Sequence, residues 1–184
     1  MNHQNQTDQP PSKPSEQVKR MFLEFVTQQS QKIAESSDIV RELAKRLDAF
    51  WNKAYNTCIE FFDSYDRGYA ELENEPLECE VSSARMRIEE GDKISIDYSA
   101  VHIYDSCISY SCGPYDEEEN PEEAYMQCRE TCLEEAERVA RAVLGEYRRV
   151  IERWAKKRDV KYTEELKRDE LNFTLIIKLH SSGG

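Results

Sequence analysis

NPEEAYMQCRETCLEEAERVARAVLGEYRRVIERWAKKRD, residues Asn120 to Asp159, reads as one amphipathic helix of unusual length. Asn120 is a capping residue, Pro121 suits the first helical position, and Glu122 and Glu123 place negative charge at the positive end of the helix. Apolar residues then recur at Leu133, Ala136, Ala140, Val143, Tyr147, Val150 and Trp154, a three-four spacing that persists along the helix. Gly145 is the weak point, but its cost of about 1 kcal/mol against alanine does not end a helix. At about 1.5 Å per residue the element runs roughly 60 Å, further than a compact domain of this size is wide. Part of it must therefore project or lie along another long helix.

The flanking segments change period. After the helix, Leu171, Phe173, Leu175, Ile177 and Leu179 alternate with Asn172, Thr174 and Lys178, which predicts a strand. Lys161 to Glu170 fits either a short helix or a strand with a turn. Before the helix, Ala84, Met86 and Ile88 alternate with Arg85 and Arg87; beyond Glu89-Glu90-Gly91-Asp92, Ile94, Ile96 and Tyr98 alternate with Ser95 and Asp97. This is a hairpin with one apolar face, and its other face sets arginines against Asp97. Val101 to Ser111 reads as a strand whose phase slips, with Val101 and Ile103 on one parity and Ile108 and Tyr110 on the other, so a bulge or turn is expected near Asp105. Gly113-Pro114 and the acidic Asp116 to Glu119 form the loop into the long helix.

At the N-terminus, residues 1–14 have nothing to bury and are expected to be disordered. Val18, Met21, Phe22, Phe25, Val26 and Ile33 mark a helix to about Glu35; after Ser36, Ser37 and Asp38 a second carries Val40, Leu43, Leu47, Phe50, Ala54, Cys58, Phe61 and Tyr65. The expected organisation is a helical hairpin over 15–72, a sheet plus the long helix over 77–180, and a flexible tail over 181–184. Helices segregated from strands imply an α+β fold, with long amphipathic helices on a small, mostly antiparallel sheet of three to five strands.

The 184 residues carry a formal charge of −12, and 34% of them are charged; mean hydropathy is −0.82. Residues 60–137 hold 23 acids against 5 bases, net −18, and residues 138–168 hold 11 bases against 5 acids, net +6. An acidic chain argues against nucleic acid and anionic membranes, which need clustered cations, and favours a basic protein partner. No apolar run approaches the roughly 18 to 20 residues that span a bilayer, and Met1 to Ser15 lacks the apolar centre of a secretory signal. The expectation is a cytosolic protein, in which six cysteines do not by themselves imply a disulfide framework.

Among six cysteines, Cys107, Cys112, Cys128 and Cys132 are the most site-like. Four thiolates would hold zinc tetrahedrally, with Cys128 and Cys132 on one face of the helix. Alternatively, Cys107 and Cys112 face Cys128 and Cys132 as two disulfides, or all four are simply small buried side chains. Cys58 falls in the second helix's apolar stripe and reads as core, while Cys79, between Glu78 and Glu80, is no activated thiolate. His3, His102 and His180 are the only histidines; no Ser-His-Asp set assembles, and no glycine loop suits a phosphate. The chain is therefore read as non-enzymatic and cofactor-free, zinc being the one candidate. An enzyme would need a pocket joining His102 to an activated cysteine or a carboxylate.

Tyr98, Tyr104, Tyr110, Tyr115 and Tyr125 interleave with Asp97, Asp105, Asp116 and Glu117. Tyrosine presents apolar area and a polar tip, so Tyr98, Tyr104, Asp105, Tyr110, Tyr115, Asp116 and Glu117 form the expected partner-binding set. Wide aromatic stripes on long helices further predict a homo-oligomer.

The alternating strand Leu171 to Leu179, with the short tail closing in Gly183-Gly184, resembles the C-terminus of ubiquitin and its relatives. The resemblance covers residues 171–184, and it implies conjugation through Gly183 and Gly184, whose lack of side chains lets a terminus thread a narrow cleft. The primary expectation is an acidic interaction protein, an adaptor, chaperone or inhibitor; a ubiquitin-like modifier and a zinc-stabilised module are the alternatives.

Overall fold

The computed structural model describes residues 15–35, 37–66 and 75–180. The expected tails, 1–14 and 181–184 with Gly183 and Gly184, lie outside the described residues, as do the side chains of Ile33 and Tyr65. In chain order the elements are α1 (Glu16–Glu35), α2 (Asp38–Asp66), α3 (Leu77–Val81), β1 (Arg85–Glu89), β2 (Lys93–Ser99), α4 (Val101–Ser111), α5 (Pro121–Arg158), β3 (Lys161–Asp169) and β4 (Asn172–His180). One unit ends at Glu35 and a second begins at Ser36. Of the first, α1 is an amphipathic helix on which Val18, Met21, Phe22, Phe25 and Val26 are all exposed.

The second unit is the α+β fold expected. Its sheet is wholly antiparallel in the order β1-β2-β4-β3. Because side chains alternate, register puts Ile88, Ile94, Ile96, Tyr98, Phe173, Leu175, Ile177 and Leu179 on one buried face. Against them lie Ala140, Val143, Leu144, Tyr147, Ile151 and Trp154 of α5 and Val40, Leu43 and Leu47 of α2. Two polar contacts tie these layers together. Tyr147 donates its hydroxyl to the Val81 carbonyl at 2.8 Å, and its ring meets Phe50 edge to face at 5.1 Å. Trp51 donates Nε1–H to the Ala84 carbonyl at 3.2 Å. On the outer sheet face, Asp97 accepts two bonds from Arg87 and one from the Thr174 hydroxyl.

The long helix begins and ends as its sequence dictates. The Asn120 side chain accepts from the Glu123 amide, and the Glu123 carboxylate accepts in return from the Asn120 amide group. At the other end Lys156, Lys157 and Arg158 face the negative pole, and Asp159 turns left-handed at φ 53° to stop the helix. Lys161–Asp169 resolves as the edge strand β3.

Residues 101–111 differ from expectation. They form a helix because Ile103, Tyr104, Cys107 and Ile108, split between two parities in a strand, fall on one face at helical spacing. The short helix α3 was not foreseen, since five residues are too few to show a period. No described helix is long and apolar enough to cross a membrane.

Candidate functional site

All six cysteines are paired: Cys58–Cys79, Cys107–Cys132 and Cys112–Cys128. The four site-like cysteines are therefore brought together, but as bridges between α4 and α5. A disulfide sulfur carries no thiolate charge, so this oxidised state does not supply the four-thiolate zinc set. Cys58 is buried, as its place in the apolar stripe of α2 implies, and it is bonded to Cys79. Cys79 is buried too, and α3 turns it back onto α2, joining two residues that the sequence presented as unrelated.

The bridges create a distinct head. Fully buried positions on α5 begin at Cys132, whereas α4 has none; only Ile103 and Tyr104 lean on the core. Residues 101–131 thus have little hydrophobic support and are held mainly by two covalent links. They carry eight acids, Asp105, Asp116, Glu117, Glu118, Glu119, Glu122, Glu123 and Glu130, against one base, Arg129. Arg129 is engaged internally, donating to the Tyr104 hydroxyl at 3.0 Å and lying over the Tyr125 ring. That hydroxyl holds the guanidinium even more firmly charged than usual. The acidic surface consequently lacks an internal counterion of its own.

The expected partner-binding residues divide. Asp105, Asp116 and Glu117 are exposed, Tyr110 is 90% exposed, and Tyr104 and Tyr115 are half-buried, all within the head. Tyr115 donates to the Ser111 carbonyl at 3.2 Å, fixing the loop against the end of α4. Tyr98 does not belong to this surface: it is 2% exposed and faces the core from β2.

Tyr98 is part of a second cluster that sequence reasoning missed. Its hydroxyl donates to Glu80 Oε2 at 2.7 Å, and His102 Nε2 meets the same oxygen at 2.7 Å. Burial, then the hydrogen bond to Glu80, pushes the Tyr98 hydroxyl well above its ordinary pKa. Glu75 is also raised, first by burial and then by the Glu80 charge. His102 and Tyr98 border a cleft of about 530 Å³ with Ser83, Arg85, Asn172 and Thr174 on its walls. The lining also holds Asp97, whose carboxylate accepts from Arg87 and Thr174, while Glu80, the carboxylate that meets His102, is not part of it. Neither Ser83 nor Ser99 of the lining is hydrogen-bonded to His102 among the described residues. Glu80 went unseen because it sits in a run of acids, and only α3 turns it inward.

No family model, curated protein or solved structure matches the chain.

Proposed function

We propose that the chain is a non-enzymatic interaction protein whose acidic head, residues 101–131, binds a basic protein partner. The observation that carries this reading is the combination of an uncompensated acidic surface, exposed Tyr110 and two disulfides that hold them in place. A rigid surface loses less conformational freedom on binding, and tyrosine contributes contact area at low entropic cost. Charge would act mostly on encounter rate and on partner choice. Three disulfides support an oxidising compartment in place of the cytosol expected from sequence. The exposed apolar stripe of α1 supports self-association, which sedimentation with and without residues 1–35 would read out.

The test uses a labelled oligolysine peptide and fluorescence anisotropy at low and physiological ionic strength. Binding should weaken by roughly tenfold or more as salt rises. It should be lost in a Glu117→Lys/Glu118→Lys variant and kept in Glu165→Lys/Glu170→Lys, which makes the same change of charge at exposed positions outside the head. Equal loss in both variants would reduce the effect to net charge and sink the reading.

A further inference from the structure

The two bridges of the head touch each other. Cys112 Sγ lies 3.7 Å from Cys132 Sγ, although each is bonded to a different cysteine. Neither sulfur has a proton in a disulfide, so this is a direct non-bonded contact between two bridges. Their accessibility is unequal. Cys132 is 0% exposed, whereas Cys107, Cys112 and Cys128 are half-buried. A thiol in solution therefore meets the Cys112–Cys128 bridge more readily than the buried sulfur of Cys132. Cys112 is also the less constrained partner, as it caps α4 outside helical geometry and precedes Gly113 at φ 123°.

We infer that these four cysteines form a thiol–disulfide exchange centre, in which a thiolate at Cys112 opens the Cys107–Cys132 bridge from within, at its buried sulfur. An external dithiol first reduces Cys112–Cys128 and leaves as its own disulfide, a two-electron step. The Cys112 thiolate then attacks Cys132 Sγ; the Cys112–Cys132 bond forms, the Cys107–Cys132 bond breaks, and Cys107 departs as thiolate to take a proton from water. This second step changes no oxidation level and needs no further reagent. Its structural result is specific: α4 loses the link at its middle, Cys107, and keeps only the one at its C-terminal end. The exchange is independent of what the head binds.

The experiment removes the need for a reductant. In full-length Cys128→Ser, Cys112 is left as a thiol beside an intact Cys107–Cys132 bridge. The protein is held anaerobically at mildly alkaline pH, where thiolate forms, then acid-quenched, alkylated and mapped by peptide mass spectrometry. Alkylation at Cys107 with a Cys112–Cys132 bridge should be detected beside the starting isomer, because the exchange changes no oxidation level and needs no added reagent. Full-length Cys107→Ser enters the same contact from the other side: freed Cys132 should displace Cys128, giving the same Cys112–Cys132 bridge. That bridge in either variant, with circular dichroism showing the fold retained, supports the exchange. Alkylation confined to Cys112 in the first and to Cys132 in the second overturns it.

Discussion

Replacing Cys58 and Cys79 together by alanine should cost the second unit about 4 kcal/mol. The bridge joins residues 21 apart in sequence. Closing a loop of that length removes about 11 cal/mol/K from the unfolded chain, or about 3 kcal/mol at 25 °C. Both sulfurs are also buried, and their loss adds roughly 1 kcal/mol through reduced burial and packing. At about 2 to 4 °C per kcal/mol for a chain of this size, the melting temperature should fall by on the order of 10 °C. Urea unfolding followed by tryptophan fluorescence is the suitable assay, because both tryptophans report on the second unit. Trp51 bonds the Ala84 carbonyl and Trp154 is 6% exposed in the core. The m-value should rise as well, since an uncrosslinked denatured state exposes more surface. A loss below about 1 kcal/mol would refute the assignment of this bridge as the clamp that fixes α3 on α2.

Three further outcomes can be checked. Tyr98 and Tyr147 are held protonated in the folded chain with raised pKa values, burial being the main cause for both. A raised folded pKa contributes stability that is intact below the unfolded value near 10 and lost as pH rises above it, by about 1.4 kcal/mol per pH unit for each group. Absorbance titration should accordingly show two of the ten tyrosines ionising only on unfolding, and their early titration would contradict the burial. Tyr147→Phe removes the donor to the Val81 carbonyl and should cost about 1 to 2 kcal/mol in urea unfolding, with an unchanged m-value; no change would mean water replaces the hydroxyl. Asp97→Asn breaks the charge pairing with Arg87 and should cost roughly 1 kcal/mol by the same assay, less at high salt.

What could be read from sequence followed period. The long helix shows its caps and stripe over many turns, and β1, β2 and β4 alternate cleanly, so their existence and much of their extent were legible. Residues 101–111 were not, because a broken alternation over eleven residues reads as a bulged strand as easily as a short helix, and the disulfides that settle the matter are long-range contacts. The same limit hid Cys58–Cys79, whose pairing needs the α3 turn. For the candidate site, the acids and Tyr110 of the head were legible as a charge run with aromatics, while Tyr98 was grouped with the other tyrosines although its alternation with Ile94 and Ile96 already set it on the apolar face. Glu80 and His102 lie 22 residues apart on different elements, and nothing local links them.

The long helix α5 passes through two regions held together by different means, and they should answer to different variables. From Cys132 onward it is fixed by apolar burial, whose strength varies with temperature and carries a large heat-capacity signature. Before that point it is fixed to α4 by sulfur bonds, which respond instead to the reducing potential of the surroundings. Mild reduction would loosen the head while the sheet and its helices stay folded. One continuous backbone element thus spans two regions whose stability depends on different conditions.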